Sequence, residues 1–272
     1  MKIAFIGGGN MGEAMLAAVL NNLPAPHNIS VSDISDSRCA RIEQKYGGGC
    51  GATTLTTTSR NLDAIAGKDV IILAVKPQNL SDVMQELKGE IVSNQLVLSI
   101  IAGVTVATIS QGLNHQAVAR AMPNTPAQVG EGMSVWTATD AVTEKQKKAA
   151  RDILGAMGKE IYVSDEADID RATAVSGSGP AYFFLMVEAL VEAAVAIGLP
   201  ADTAQELVLQ TMLGSGKFIE ASGESPAELR KKVTSPGGTT AAALEQFDRG
   251  DFSALVKKAV AAAYARAREL GK

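Results

Sequence analysis

Two stretches hold the residues of this chain best placed to do chemistry, and both are glycine-rich entrances to helical pattern. Gly7-Gly8-Gly9-Asn10-Met11-Gly12 follows the apolar run Lys2–Ile6 and opens the helical spacing of GEAMLAAVLNN. It fits G-x-G-x-x-G: Gly7 permits a tight turn, Gly9 lets the backbone approach a pyrophosphate, and Gly12 allows close helix–strand packing. The unpaired N–H groups at the helix start would receive the anion. Far along the chain, Ser235-Pro236-Gly237-Gly238-Thr239-Thr240 leads into AAALEQF. Pro236 fixes one backbone angle, Gly237 and Gly238 permit a tight turn, and Thr239 and Thr240 start a helix. Clustered N–H groups there form a receptor for a small anion such as a carboxylate, with the threonine hydroxyls as neutral donors. Ordinary capping by threonine is the competing use. Ala242 and Ala243 stand three residues beyond Thr239 and Thr240, so no capping box engages either. SGSGPAY, Ser176–Tyr182, reads as a further small-residue helix entrance with Pro180 in its first turn.

Hydride transfer needs a donor, an acceptor held in register and a way to handle one proton. The chain has two histidines, His27 and His115. Neither lies in a motif and both read as surface loop residues, which disfavours a His-centred alcohol or hydroxy-acid dehydrogenase. A cyclic imine asks less of its enzyme, because protonation at nitrogen already makes its carbon electrophilic. Asp33 ends the second strand, where an acid bonds a ribose 2′-hydroxyl and favours NAD. Ser35, Ser37 and Arg38 follow at once and offer a hold for a 2′-phosphate instead. A third use of Asp33 is to cap the helix that begins around Ser35. On the residues alone the cofactor preference stays open.

The elements that must position these groups alternate in the first half. Lys2–Ile6, NISVSD, Asp69–Val75, QLVLSIIAG and AVARAM read as strands; GEAMLAAVLNN, SRCARIEQKYG, LSDVMQELKG and VATISQGL read as the intervening helices. DVIILAV is near-continuously apolar and β-branched, as in a strand covered on both faces. The alternation predicts a parallel, doubly wound α/β sheet. After EIYVSDEADID it stops, placing the break near Val163–Asp168, and the remainder is helical. Pro180–Gly198 is apolar nearly all round, with only Glu188 and Glu192 polar between Tyr182 and Ile197. Such a helix must be buried, and a partner subunit is its natural cover. The expected domains are residues 1–163 and 164–272.

With 46% apolar and 20% charged residues among 272, the composition is globular, and a net charge of −4 without basic runs excludes nucleic-acid and membrane-surface partners. Two cysteines, Cys39 and Cys50, with no neighbouring Cys or His at zinc spacing, argue against a disulfide framework and a metal site. The N-terminal stretch is too short an apolar run for a signal peptide. No segment offers about twenty uninterrupted apolar residues for a membrane span, so a cytoplasmic protein is expected.

Six stretches in one order carry a resemblance: FIGGGNMG, LAVKPQ (Leu73–Gln78), SIIAGV (Ser99–Val104), RAMPNTPA (Arg120–Ala127), SGSGPAYFF and VTSPGGTT. Together they make the chain resemble the pyrroline-5-carboxylate reductase family over essentially its full length. The resemblance implies a Rossmann domain, an interwoven helical dimerisation domain, and often a larger ring built from dimers. It implies that Ile6, Gly7, Gly8, Gly9, Asn10 and Met11 line a nicotinamide cofactor. Asn61, Ala74, Val75, Lys76, Pro77, Ile100, Ile101 and Ala102 join them, with Met122, Pro123 and Asn124 beside it. It assigns Ser235, Thr239 and Thr240 to the substrate carboxylate and ring nitrogen, with Gly238 in their turn, and Glu166 to a nearby acid. Thr240 is the family's candidate proton donor or imine-orienting residue; a hydroxyl is a poor acid, so its expected role is a hydrogen bond that relays a proton from water. The implied reaction is reduction of L-1-pyrroline-5-carboxylate to L-proline, the last step of proline synthesis. Family usage leans to NADPH and Asp33 to NADH. Alternatives are a reductase of another cyclic imino acid, a hydroxy-acid dehydrogenase using Lys76, and a dinucleotide-binding regulator without catalysis.

Overall fold

The computed structural model describes residues 1–48 and 52–271. Cys50 lies outside the described residues. The chain divides into two compact units: Met1–Ser178 with Ala263–Lys272, and Gly179–Ala262 between them.

The first unit alternates β1 (Lys2–Ile6), α1 (Asn10–Asn22), β2 (Asn28–Ser32), α2 (Asp36–Tyr46), β3 (Thr54–Thr58), α3 (Asn61–Ile65), β4 (Val70–Leu73), α4 (Leu80–Leu87), β5 (Leu96–Ser99), α5 (Val106–Leu113) and β6 (Val118–Met122). It continues with β7 (Gly132–Ala138), α6 (Glu144–Gly155), β8 (Gly158–Tyr162) and α7 (Ala167–Ala172). The strands form one sheet in the order β3-β2-β1-β4-β5-β6-β7-β8. Pairing is parallel from β3 across to β6, β7 runs antiparallel to β6, and β8 is parallel to β7. Period-two alternation sorts the central strands onto two cores. Ile3 and Phe5 join Met15, Leu16, Ile72, Leu98 and Trp136 on one face, whereas Ala4 and Ile6 join Ile71, Leu73, Val97, Leu87 and Ile109 on the other. β3, α3, β7 and α6 have no counterpart in the sequence pattern. β3, TLTTT, is a half-exposed edge strand that never shows an apolar run.

Alternation ends with β8 at Tyr162, beside the expected break, while the first unit's chain carries on to Ser178. SGSGPAY is not a plain helix entrance. Thr173–Gly177 is a π-helical turn joining α7 to α8 (Gly179–Ala196), with Ser178 N–H bonding Thr173 O at 2.8 Å. Pro180 does fall in the first turn of α8. Having no N–H, it leaves the carbonyl four residues back, that of Ser176, without its helical donor, and the Asn124 side-chain amide donates to that oxygen at 3.1 Å instead.

The second unit contains α8, α9 (Ala201–Ser222), α10 (Pro226–Lys232), α11 (Thr239–Arg249) and most of α12 (Phe252–Leu270). α8 packs on α9. The expected burial of α8 is not supplied within one chain: Phe183, Phe184 and Leu185 are 64%, 64% and 65% exposed, and only Gly179 and Pro180 are buried. An apolar helix packed chiefly on one other helix has too few residues around it to be covered. The helical run Ala167–Ala196 is long and apolar enough to cross a membrane by length and composition only, although Glu188 and Glu192 interrupt its apolar part.

Candidate functional site

The order of strands reverses between β1 and β4, and ligands of such sheets bind at the carboxyl ends of the strands beside that switch. The first unit brings the expected cofactor residues there, because each group follows the end of a parallel strand. Ile6 ends β1 and Gly7–Met11 follow it, Asp33 and Ser35 follow β2, Asn61 follows β3, Ala74–Pro77 follow β4, Ile100–Ala102 follow β5, and Met122 ends β6 with Pro123 and Asn124 after it.

At β1, Gly7 has φ +104°, and a Cβ there would lie 2.8 Å from Ala74 O. Ala74 N–H in turn bonds Ile6 O at 2.8 Å, so β1 and β4 leave no room for a side chain between them. A Cβ on Gly12 would sit 2.3 Å from Gly7 O. Gly9 is different: nothing lies within 4 Å of where its Cβ would be, and as N-cap of α1 it offers no side chain to the helix's first N–H groups. An open cradle of unsatisfied donors fits a pyrophosphate. Ile6, Ile100 and Ile101 send their side chains into the two cores, so only their main chain is available. Lys76 is exposed, and Pro77 opens a 3-10 turn through Asn79.

Asp33 does not cap α2, whose N-cap is Ser35 without a side-chain bond. Its buried carboxylate accepts Gly8 N–H at 2.9 Å, Ser35 N–H at 3.0 Å and the Arg38 guanidinium at 3.1 Å. Asn61 accepts the Ser32 hydroxyl at 2.6 Å and donates to Glu86 at 2.7 Å. Asn124 is clamped at both ends of its amide, donating to Ser176 O and accepting Met133 N–H at 2.8 Å. Beside it Met122 lies against Gly177, where a Cβ would come within 3.2 Å of Met122 Cε.

Glu166 directs Oε1 to Val106 N–H and to Arg120 Nη1, both at 2.9 Å, and Arg120 reaches Asp170 at 2.7 Å through its other nitrogen. Arg120 is 3% exposed, so these acids neutralise a buried cation. Sequence reasoning missed this ion triad; the signal was an arginine inside the apolar strand AVARAM. Both histidines are buried rather than on the surface, because each ring bonds a backbone carbonyl: His27 that of Leu23, His115 that of Gln95. Cys39 is buried, which pushes its thiol above the usual range. Among the described residues no group of three His, Cys, Asp or Glu is placed to hold a metal.

The second unit assembles the other glycine-rich element by itself. Gly237 has φ +70° after Pro236, and Gly238 N–H bonds Ser235 O at 3.0 Å, closing a tight turn. Gly238 is the N-cap of α11, extended and without a side-chain cap bond. Thr239 and Thr240 are therefore the first two helical residues and neither caps the helix. Ser235 Oγ lies where a Gly238 Cβ would be, at 2.5 Å, so the hydroxyl sits directly over the turn.

A switch-point glycine cradle and a separate uncapped, hydroxyl-bearing helix start define a nicotinamide-dinucleotide-dependent oxidoreductase with a Rossmann-type unit and a helical unit. Residues 166–270 match the pyrroline-5-carboxylate reductase dimerisation family, and residues 2–103 match the coenzyme F420-dependent NADP oxidoreductase family. The chain is 40% identical to a pyrroline-5-carboxylate reductase of Pseudomonas aeruginosa over 100% of its length and 97% of the relative's. A solved pyrroline-5-carboxylate reductase from Coxiella burnetii superposes with TM-score 0.90 at 39% identity, covering 99% of this chain and 98% of the other. A Plasmodium falciparum pyrroline carboxylate reductase solved with NADP bound gives TM-score 0.87 at 31% identity, over 100% and 98%. The chain belongs to the pyrroline-5-carboxylate reductase family.

Proposed function

We propose that this chain reduces L-1-pyrroline-5-carboxylate to L-proline, and that the uncapped start of α11 is where the substrate carboxylate binds. The observation that carries the substrate assignment is the cap: Gly238 terminates the helix, which leaves the first N–H groups and the hydroxyls of Ser235, Thr239 and Thr240 unspent on capping. A carboxylate there gains from the helix dipole and from charge-assisted hydrogen bonds. Thr240 then orients the imine nitrogen and relays its proton from water, while Thr239 acts mainly through its backbone. Glu166, whose Oε1 is held by Val106 N–H and Arg120 in the dinucleotide-binding unit, keeps the role of the family's nearby acid. The reduced nicotinamide, when bound, supplies the hydride that the imine carbon accepts. Gly7–Met11 hold its pyrophosphate; Asp33 and Ser35 lie at its adenosine; Asn61, Ala74–Pro77, Ile100–Ala102 and Met122–Asn124 line its remaining length. NADPH is the assigned cofactor, with NADH also accepted.

We assign α8 to a homodimer contact rather than to lipid. Glu188 and Glu192 interrupt it, and residues 166–270 match a dimerisation family. Dimers built this way can assemble into a larger ring, and we place the enzyme in the cytoplasm, with residues 1–163 and 164–272 as its functional divisions. The test is to follow NADPH and NADH oxidation with pyrroline-5-carboxylate and, in parallel, with pyrroline-2-carboxylate and with 2-keto acids. Turnover confined to pyrroline-5-carboxylate supports the assignment; faster turnover of a rival overturns it.

A further inference from the structure

Three elements of the dinucleotide-binding unit meet at one side chain. Asn61 opens α3 just after β3, and its amide is held from both ends. Oδ1 accepts the Ser32 hydroxyl at 2.6 Å, and Nδ2 donates to Glu86 Oε2 at 2.7 Å. Ser32 ends β2 and is 1% exposed, so the sheet fixes its hydroxyl. Glu86 lies near the end of α4, whose Leu80, Val83 and Leu87 are buried in the same core as Ala64 and Ile65 of α3. The carboxylate of Glu86 is therefore carried by an anchored helix, although the side chain itself is exposed.

The two partners of Asn61 are chemically unequal. A serine hydroxyl both donates and accepts, so Ser32 would satisfy either end of the amide. An ionised carboxylate only accepts, so Glu86 takes the NH2 end alone. Glu86 is thus the group that decides which way the amide faces. In that orientation Asn61 keeps one N–H and one oxygen lone pair, the donor and acceptor that ribose hydroxyls complement. The charge of Glu86 does not favour an anionic dinucleotide, so orientation is the contribution the geometry leaves it.

We infer that Glu86 is a positioning residue for the dinucleotide, acting through the Asn61 amide, which it holds ready for a ribose hydroxyl. The inference rests on the reading of Asn61 as a cofactor contact.

Calorimetric titration of the intact protein with NADPH and NADH tests it, with thermal melts on the same preparations. Glu86→Ala weakens both dinucleotides by about three- to tenfold, the effect of one orienting hydrogen bond. The melting temperature stays nearly unchanged, because the side chain is exposed. Glu86→Gln, whose carbonyl oxygen still accepts from Nδ2, recovers part of the loss. Asn61→Ala weakens binding by itself, and adding Glu86→Ala to it changes nothing further, since no amide is left to orient. In steady-state kinetics the change sits in KM for the dinucleotide, with kcat within about twofold. The sign separates orientation from simple electrostatics, because removing an acid from beside an anionic ligand tightens binding. Unchanged or tighter binding in Glu86→Ala, or an undiminished effect of Glu86→Ala on the Asn61→Ala background, would overturn the inference alone. An Asn61→Ala protein that binds both dinucleotides as the parent does would overturn the reading of Asn61 and the inference with it.

Discussion

Thr240 is the residue whose chemistry is easiest to isolate, because its hydroxyl does not hold the helix together. With Gly238 as N-cap, Thr240→Ala is expected to leave the melting temperature almost unchanged. Turnover falls all the same, since a hydrogen bond to a charged imine is worth about 1.5–3 kcal/mol, or roughly ten- to a hundredfold. Thr240→Ser recovers much of the loss, and Thr239→Ala serves as control. Thermal melts and kcat on the same preparations check this; unchanged kcat in Thr240→Ala ends its assignment to the reaction. Arg120 behaves in the opposite way. Arg120→Ala strands Glu166 and Asp170, whose side chains are 27% and 22% exposed. The expected cost is about 2–4 kcal/mol, somewhat below that of a fully buried pair, measured by denaturant unfolding.

At the scale of elements, the residues that join strand ends to helices matter more than the helices themselves. Gly103, just after β5, has φ +77°, and a Cβ there would lie 2.7 Å from Leu270 O at the end of α12. Gly103→Ala therefore meets both a strained backbone and a filled space. It should lower stability by about 1–3 kcal/mol and weaken dinucleotide binding through neighbouring Ala102, read by melts and by NADPH titration. Asn124→Ala removes partners from Ser176 O and Met133 N–H at once, for about 2–4 kcal/mol.

These same junctions show what the sequence could disclose. Apolar runs such as VIIL and turn glycines such as Gly7 report local geometry, so the strand–helix alternation and the cradle were legible from residue types. β3 was not, since TLTTT at a sheet edge lacks the pattern that burial imposes. The π turn was hidden because it depends on Pro180 and on Asn124, which is distant in sequence. Asp33 was ambiguous for a related reason: its meaning turns on three donors, of which Gly8 lies on another strand's turn.

For the whole molecule, the apolar surface of α8 calls for a cover that one chain does not provide. Phe184→Asp tests this cleanly. In an isolated chain the side chain is 64% exposed and the change would be nearly neutral, whereas in a dimer it buries a charge. Light scattering is expected to show the variant shifted toward monomer and the parent as a dimer or larger. A parent that runs as a monomer would remove the dimer assignment.

The last part of α12 belongs with the dinucleotide-binding unit rather than with the helices that precede it. The helical unit is thus an insertion, spliced into its host at both ends. Removing residues 263–272 consequently attacks the nucleotide-binding side first. Deleting 263–272 exposes Gly103 and the turn after β5, so such a truncated enzyme should lose its grip on NADPH while its helices still associate.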